Sequence, residues 1–368
     1  MESNLITPVT NQIDIFLTTT SPWHVAFPGN AETNPATGKN VASTLKKKMG
    51  RSRVPYFTAN GVRGALRRHA RDILLPYITQ TSGPVSTDLF NGLSCGASTG
   101  SPDSSPNSVE ELARGSEHIY MGLFGGGARL LAGRLQVSDI NIVCEESLSR
   151  RIVAISREQA EIVKALHPSH FGESPTQPYQ FVDERHIIRR DDIVQALTTA
   201  DLASIAGGAE AIAEHYNAVG ANTADRKAAK KAGGDKVKKS TLSNLITLEA
   251  IPEGVPMHLR VSLAPDTNEA QLGLILICLQ SLFRRNYFGG YGRTGFGMAR
   301  VDGIYVGAQN LDINLSEPGD ALYDDKGHFL LSSKFDALAE SAAAAMASLD
   351  RDELESYFLP IAAQKKAS

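Results

Sequence analysis

A run of closely spaced glycines near residue 290 constrains the fold more than any other stretch of the sequence. The run lies between Phe288 and Arg300, a segment called the glycine loop below. Its members are Gly289, Gly290, Gly292, Gly295 and Gly297. Glycine allows positive φ and close approach of the backbone, so such a run can form a nest of amides for an anion. It is equally compatible with a plain tight turn between two elements.

The string Gly290-x-Gly292-x-x-Gly295 matches a dinucleotide-binding fingerprint, which requires a strand before it and a helix after it. Here the order is reversed. Residues 272–283 are almost continuously apolar and predict a buried helix, whereas residues 298–306 have the pattern of a strand. We therefore exclude a dinucleotide site and, with it, a nucleotide-dependent enzyme of that type.

The composition is that of a globular protein, with 42% hydrophobic and 21% charged residues in 368. No stretch approaches the 18 apolar residues that predict a membrane span, and the N-terminal sequence lacks the features of a secretion signal. Cys95, Cys144 and Cys278 are far apart, which favours a reducing cytoplasm and gives no metal-ligand spacing. We expect a cytoplasmic protein without cofactor or metal.

Charge is segregated along the chain, although the net charge is only −3. Residues 46–71 contain nine Lys or Arg and no acid, and residues 226–239 contain seven against one Asp. Residues 312–355 contain eleven acids against three bases. Segregation of this kind predicts one strongly positive face, even though each block alone is compatible with a solvated surface.

The predicted elements follow the order strand, helix, strand, strand, helix, strand. The first three are a strand at 12–19, a helix capped by Asn60 and running to about Leu75, and a strand at 134–143. A hairpin at 245–264 takes the fourth place, and a helix at 268–285 and a strand at 298–306 follow. This α+β order is the βαββαβ of a ferredoxin-like, RRM-like fold. The three arginines Arg63, Arg67 and Arg71 share one stripe of the first helix.

The core predicted in this way covers residues 1–306, with long insertions at about 20–57, 78–122 and 146–244. The Ser- and Gly-rich residues 78–117 predict a mobile excursion. The third insertion holds a predicted helix at about 191–217 and the lysine tract 226–239, which composition predicts to be disordered unless a polyanion binds. Residues 307–368 form an acidic, helical C-terminal extension.

Four segments resemble the motifs of the CRISPR RAMP superfamily, in the order of that family. They are VPYFTANGVRGALRRHA at 54–70, LFGGGARLLAGRLQVSD at 123–139, EAIPEGVPMHLRVSL at 249–263 and RRNYFGGYGRTGFGMARV at 284–301. The chain is most similar to the type IV branch, as the backbone subunit that polymerises along guide RNA in a class 1 effector complex. The resemblance implies a palm, fingers and thumb arrangement.

The resemblance also implies which residues bind the guide. The first helix would point its N-terminus at the RNA backbone, which physics favours because free amides and the helix dipole attract phosphate. The expected RNA-binding residues are Lys46, Lys47, Lys48, Arg51, Arg53, Asn60, Arg63, Arg67, Arg71, Gly289, Gly290, Tyr291, Gly292, Arg293 and Phe296. An internal salt bridge is the alternative for Arg67, and core packing is the alternative for Tyr291 and Phe296.

The family's thumb, which interrupts the guide–target duplex, is expected within the insertion 146–244. The preferred tip lies around His186, Arg189 and Arg190, and the alternative tip or target contact is the tract with Lys230 and Lys231. The expected partners are guide RNA, a target nucleic acid (plasmid or phage DNA above RNA), further copies of the chain in a helical ribonucleoprotein filament, other effector subunits and a helicase.

The main alternative is a RAMP endoribonuclease that processes precursor guide RNA or cuts target RNA. In type III relatives an Asp of the first long loop cuts the target, but here Glu32 is the only acid between Asp14 and Asp72. His24 and His69 are the only candidates for a general base near the basic residues. The sequence therefore favours a subunit that holds RNA without cutting it.

Overall fold

The computed structural model describes residues 11–26, 32–33, 40–50, 52–96, 108–168, 171, 181–190, 243–285, 287–308, 311–314, 323–324, 326–330 and 333–359, with a few further single positions. The chain divides into two compact units. The larger draws on Met1–Ala26, Thr44–Asp183 and Ala250–Ser368, and the smaller on Phe27–Ser43 and Glu184–Glu249.

The described strands and helices are numbered along the chain. The strands are β1 (Asn11–Thr19), β2 (Glu32–Thr33), β3 (Asn40–Ala42), β4 (Lys46–Met49), β5 (Ser52–Phe57), β6 (Leu135–Val137), β7 (Ile140–Ile142), β8 (Asp183–Arg190), β9 (Ser243–Ala250), β10 (Pro256–Leu263), β11 (Ala299–Ala308) and β12 (Leu311–Asn314). The helices are α1 (Ala59–Ser82), α2 (Thr87–Cys95), α3 (Val109–Glu117), α4 (Met121–Phe124), α5 (Glu145–Ser149), α6 (Arg157–Leu166), α7 (Glu269–Arg285), α8 (Asp336–Ala347) and α9 (Arg351–Ser356).

The larger unit is built on an antiparallel sheet, which confirms the predicted α+β class. Its strand order is β12–β11–β1–β10–β7–β5–β4, and β6 also pairs with β10. The central strand β1 is paired on both sides, with Ile15 opposite Leu259 of β10 and Ile304 of β11. The smaller unit is a sheet in the order β2–β3–β9–β8, in which β3 and β9 run parallel.

The alternation of apolar residues in β1 separates two hydrophobic clusters. Ile13, Ile15 and Leu17 are buried in the main core with the apolar stripes of α1 and α7. Phe16 points to the other face of the sheet, where it packs with Val163 of α6 in a smaller cluster. Because side chains alternate along a strand, one face of the sheet carries the long helices and the other carries the short helices that follow β7.

Two predicted elements differ from the structure for identifiable reasons. Strands β9 and β10 do not form the predicted hairpin, because β9 pairs with β3 and the linking residue Ile251 exchanges backbone hydrogen bonds with Trp23. The single strand predicted at 134–143 is interrupted between β6 and β7. The interruption contains Asp139, whose side chain bonds to the start of α1.

The described part of the Ser- and Gly-rich stretch at 78–117 is largely helical, whereas the sequence predicts a mobile excursion. Helix α1 continues to Ser82, past Pro76, and the described part of the stretch contains α2 and α3. Each of these short helices is capped by a serine: Ser86 Oγ accepts from the amide of Leu89, and Ser108 Oγ accepts from that of Glu111. In the part of the chain that the structure describes, no helix is long and apolar enough to cross a membrane.

Candidate nucleic-acid interface

The glycine loop is held against an extended segment just after β1. The amide of Gly290 donates to the carbonyl of His24 over 2.9 Å, and the amide of Gly297 donates to that of Pro22 over 2.8 Å. Gly289 has φ +82°, and a Cβ there would lie 2.5 Å from the His24 carbonyl oxygen. Glycine is therefore required at this position by both conformation and close approach.

The hypothesis of an amide nest does not survive for most of these glycines. The amides of Gly290 and Gly297 donate to carbonyls of the neighbouring segment, and that of Gly295 donates to Gly292 within the loop. A hydrogen-bonded amide is not available to an anion. The loop can therefore bind phosphate through its side chains rather than through these three amides.

An aromatic cluster beneath the loop connects it to the start of α1. The buried Trp23 stacks on Phe288 with ring centroids 5.0 Å apart, and its indole N–H donates to the carbonyl of Met298 over 2.8 Å. Phe57, the last residue of β5, contacts both rings at centroid distances of 6.3 and 6.0 Å. Since α1 begins two residues after Phe57, the cluster fixes the glycine loop next to that helix start.

The two aromatic residues within the glycine loop have different surroundings. Phe296 is only 8% exposed, so the packing alternative describes it best. Tyr291 is 36% exposed, with its ring 5.5 Å from that of the buried His24 and 6.0 Å from that of Phe296. Arg293 lies in the exposed turn that follows Tyr291. Tyr291 and Arg293 thus remain candidates for contact with nucleic acid, and Phe296 packs against Tyr291.

The hairpin of β4 and β5 carries the first basic cluster. Lys48 and Arg53 are opposite each other in the register, and both are exposed. Lys47 has its Nζ 3.0 Å from Asp139 and 4.5 Å from the centre of the Tyr56 ring. Lys46 is half-buried, and Arg51 lies outside the described residues. Among the cations of this hairpin that the structure describes, Lys48 and Arg53 are therefore the most exposed.

The N-terminus of α1 is already satisfied by internal groups. Thr58, not Asn60, is the N-cap, and its Oγ1 accepts from the amide of Gly61 over 3.2 Å. The Asp139 carboxylate accepts from the amide of Ala59 over 2.8 Å. A carboxylate thus occupies the position in which a guide phosphate was expected at the helix start. Asn60 is exposed in the first turn, and its contact with RNA remains a prediction.

The arginine stripe of α1 is directed mostly into the protein. Arg67 is 9% exposed, and its guanidinium donates to the carbonyls of Cys95, Phe124 and Gly125. Arg63 donates to the same Phe124 carbonyl over 2.6 Å. The internal role considered for Arg67 is therefore the better description, although its partners are carbonyls rather than a carboxylate. Residue 124 lies beside the second glycine cluster, 125–127, so these bonds fix that cluster to α1.

Arg71 of α1 and Arg285, the last residue of α7, are tied together through one acid, Asp72. Arg71 donates to Asp72 and to Ser94 Oγ, and its guanidinium lies 4.6 Å from the centre of the Phe90 ring. Arg285 forms an ion pair with the same Asp72 over 3.2 Å. The acid and the hydroxyl reduce the positive field that Arg71 presents to solvent.

The residues expected at the thumb lie mostly beyond what the structure describes. His186 is exposed on β8, and its ring Nδ1 is 3.1 Å from Thr247 Oγ1 of β9. Outside the described residues lie the side chains of Arg189 and Arg190 and the lysine tract with Lys230 and Lys231. The same holds for the predicted helix at 191–217, of which only three single positions are described. The thumb therefore stays a prediction.

The two histidines considered as general bases are both buried. His24 is 2% exposed beneath Tyr291. His69 is 7% exposed, with its Nδ1 2.8 Å from Ser281 Oγ of α7. Burial, followed by the charge of Arg285, lowers the pKa of His69 to about 4. Within the described residues, no group of three or more His, Cys, Asp or Glu side chains could hold a metal ion.

Two residues near this surface were missed by the sequence reasoning. Asp139 was part of a motif, but nothing in its spacing indicated that it would cap α1 and bind Lys47. Tyr287, which is 56% exposed, lies just before the glycine loop that contains Tyr291, and the glycine pattern alone did not predict it as a binding residue. Its signal was an aromatic residue placed between arginines and glycines.

Comparison with known proteins gives similarity in structure only. No protein-family model matches the chain, and no curated protein matches it. A chain of a type IV-B CRISPR complex is similar over 84% of this chain and 96% of its own length, with 14% identity and a TM-score of 0.45. A chain of the type III-B Cmr-β complex bound to cognate target RNA is similar over 81% and 61%, with 9% identity and a TM-score of 0.35.

Proposed function

We propose that the chain is a backbone subunit that binds CRISPR guide RNA in a type IV effector complex and presents it for pairing with a target. The four sequence motifs that resemble the RAMP superfamily support this proposal. The order β1, α1, β6–β7, β10, α7, β11 along the chain and the order β11–β1–β10–β7 across the sheet support a ferredoxin-like core.

One observation carries the proposal. A single segment, 22–26, is hydrogen-bonded both to the glycine loop and to the start of the hairpin of β4 and β5, called the basic hairpin below. The carbonyl of His24 accepts from Gly290 of the loop. The carbonyl of the next residue, Val25, accepts from Leu45, which immediately precedes β4. Successive carbonyls of an extended chain point in opposite directions, so the loop and the hairpin flank this segment on its two sides.

The exposed charges of these two elements suit a phosphate backbone. Lys48 and Arg53 on the hairpin and Arg293 in the loop are exposed cations, and no acid occurs between residues 33 and 71 or between 270 and 301. Cations on flexible side chains attract phosphate without reading the base sequence. Such a surface suits a subunit that leaves sequence recognition to pairing between guide and target.

We also propose that this subunit does not cleave RNA. His24 and His69 are both buried, so neither ring is presented to a strand on the surface. A general base must lie within hydrogen-bond reach of the proton that it removes. Incubation of the purified chain with labelled precursor guide RNA and Mg²⁺ should leave the RNA intact. Cleavage that disappears in His24→Ala or His69→Ala would refute this part of the proposal.

The further partners follow from the resemblance. Copies of the chain would pack head to tail along the guide, because a repeated heterologous contact generates a helical filament. The acidic helices α8 and α9 offer charge for that contact. Plasmid or phage DNA would be the target, and a helicase and other effector subunits would complete the complex.

The test is a pair of charge-reversed variants with matched numbers of substitutions. Lys48→Glu with Arg293→Glu should weaken binding of a fluorescent single-stranded RNA. The slope of log affinity against log salt concentration should become shallower by about 0.7 for each lost phosphate contact. Arg157→Glu with Lys326→Glu, which changes two exposed cations elsewhere, is the control and should bind nearly as well as the wild type. Equal effects of both pairs would contradict the proposed surface.

A further inference from the structure

Two exposed tyrosines lie next to the turn at Gly292. Tyr287 is 56% exposed and Tyr291 is 36% exposed. A Cβ built on Gly292 would lie 3.5 Å from Cδ1 of Tyr287, so the Tyr287 ring rests against the backbone of that turn. Tyr291 directly precedes the same glycine. Both tyrosines thus lie next to Gly292 of the glycine loop, Tyr291 within the loop and Tyr287 just before it.

The backbone of Tyr291 indicates that its ring is retained for a purpose other than forming the turn. Its φ of 62° and ψ of 23° are left-handed, a conformation that glycine adopts freely and a tyrosine adopts at a cost in free energy. Contacts with His24 and Phe296 hold the ring, yet more than a third of the residue stays in solvent. Strained residues of this kind concentrate at ligand-binding sites.

The charge around the two rings identifies the class of ligand. Arg293 is exposed in the turn, and the Arg300 side chain is 58% exposed while it pairs with Asp302. The residues from 284 to 301 contain four arginines and no acid. Accessible aromatic faces beside cations are what unpaired bases and their phosphates require, since every base can stack on an aromatic ring.

We propose that Tyr287 and Tyr291 form a stacking site for unpaired nucleobases of a bound single-stranded RNA. The inference rests on the proposed function and adds a second kind of contact to it: the cations hold the phosphates, and the two rings hold bases. Tyr287 is the residue that this inference adds to the expected binding set. Because stacking tolerates any base, the site would position the strand without selecting its sequence.

The experiment compares two probes that share a phosphate backbone. One is a fluorescent oligouridylate, and the other is an oligomer of the same length made of abasic ribose phosphate. The full chain should bind the oligouridylate more tightly than the abasic oligomer. Tyr287→Ala and Tyr291→Gly should each weaken oligouridylate binding by about tenfold, which corresponds to about 1.4 kcal/mol, and leave abasic binding unchanged.

Two further variants keep the outcome interpretable. Tyr287→Phe retains the ring and should bind as the wild type does. Tyr291→Gly relieves the left-handed strain, so a circular-dichroism melt should show that the variant remains folded. The stacking site would be overturned if the substitutions left the affinity for oligouridylate unchanged or weakened the binding of both probes equally. The proposed function would stand in either case. No binding of either probe by the wild type would overturn both.

Discussion

The carboxylate of Asp139 accepts a hydrogen bond from the amide of Ala59 over 2.8 Å, at the first residue of α1. Its other oxygen lies 3.0 Å from Nζ of Lys47 in the basic hairpin. One acid therefore joins three elements: the break between β6 and β7, the helix start and β4. It also neutralises a lysine that would otherwise add to the positive surface.

Replacing Asp139 with Asn should separate these two roles. The Asn side-chain oxygen can still accept from Ala59, whereas the ion pair with Lys47 is lost. We expect the free energy of unfolding to fall by no more than about 1 kcal/mol, because both partners are partly exposed. The affinity for single-stranded RNA should rise at low salt, with a salt slope steeper by about 0.7.

Asp139→Ala is the matched comparison for that prediction, because it removes the hydrogen bond to α1 as well. It should release Lys47 equally and cost roughly 1 kcal/mol more in unfolding free energy. The measurements are urea unfolding and fluorescence polarisation at several salt concentrations. A fall in RNA affinity in a folded Asp139→Asn protein would show that Asp139 orients Lys47 rather than masking it.

Arg67 should be needed for stability more than for binding. Its three carbonyl acceptors lie in two segments, 95 and 124–125, and truncation would remove the donor that they share, leaving only Arg63 on the Phe124 carbonyl. Arg67→Ala should lower the unfolding free energy by about 3 kcal/mol or more. Arg67→Lys should restore little, since one ammonium cannot reproduce the planar guanidinium fork.

The comparison for that prediction is Arg63→Ala, which removes only one of the donors to Phe124. It should cost about 1 kcal/mol, because Arg67 still donates to the same carbonyl. If RNA affinity fell strongly in Arg67→Ala while the urea midpoint stayed at the wild-type value, the assignment of Arg67 to the interior would be incorrect.

Two glycines of the loop form a pair that tests how the loop is held. Gly289 and Gly295 have similar φ values, +82° and +85°, but only Gly289 faces a backbone carbonyl at close range. Gly295→Ala should cost about 1 kcal/mol for the left-handed backbone alone. Gly289→Ala should cost roughly 2 kcal/mol more, because the new Cβ and the His24 carbonyl must separate.

Trp23 reports on that displacement directly. It is the only tryptophan of the chain, it is buried, and its indole N–H bonds to the carbonyl of Met298. Gly289→Ala should shift its emission to longer wavelength as the loop lifts, whereas Gly295→Ala should leave the spectrum unchanged. Identical spectra for the two variants would mean that the loop is not anchored through His24.

Individual strands and helices of the α+β fold could be predicted because they depend on local patterns. Ile13, Ile15 and Leu17 alternate as a half-buried strand must, and residues 272–283 have no polar face to place in water. The failed hairpin at 245–264 shows the limit of such patterns. Nothing local distinguishes pairing of β9 with β10 from pairing with β3, because partners are chosen by contacts distant in sequence.

The sequence predicted which basic residues are candidates for the site, but it did not predict which groups each of them contacts. Lys48, Arg53 and Arg293 are exposed as basic residues usually are. Arg67, by contrast, has the same chemistry and the same helical spacing, yet it faces inward because carbonyls at the second glycine cluster require a donor. Whether an arginine binds a phosphate or an internal carbonyl depends on which groups the fold places next to it. The spacing of residues along one helix does not determine those groups.

The last prediction concerns pH and His69. Burial and the charge of Arg285 lower its pKa from 6.5 to about 4, so the folded chain keeps this ring neutral where the unfolded chain protonates it. Between those two values the unfolded state binds more protons, and the free energy of unfolding should fall as pH falls. A shift of this size corresponds to roughly 3 kcal/mol at most, and no further loss from His69 is expected below about pH 4.

His69→Asn removes the titrating group while keeping a polar partner for Ser281. Urea unfolding at several pH values from 7 to 4 should therefore show a shallower dependence in the variant than in the wild type. Some slope should remain, because burial also lowers the pKa of His118 to about 4. The carboxylate of Asp14 affects stability over a different pH range. Burial raises its pKa, but hydrogen bonds from His258 and Arg260 outweigh that effect, so the pKa lies below the usual 3.8. Its contribution to the free energy of unfolding is therefore lost only below about pH 3.8. Parallel curves for the variant and the wild type would show that His69 has the same pKa in the folded and the unfolded chain.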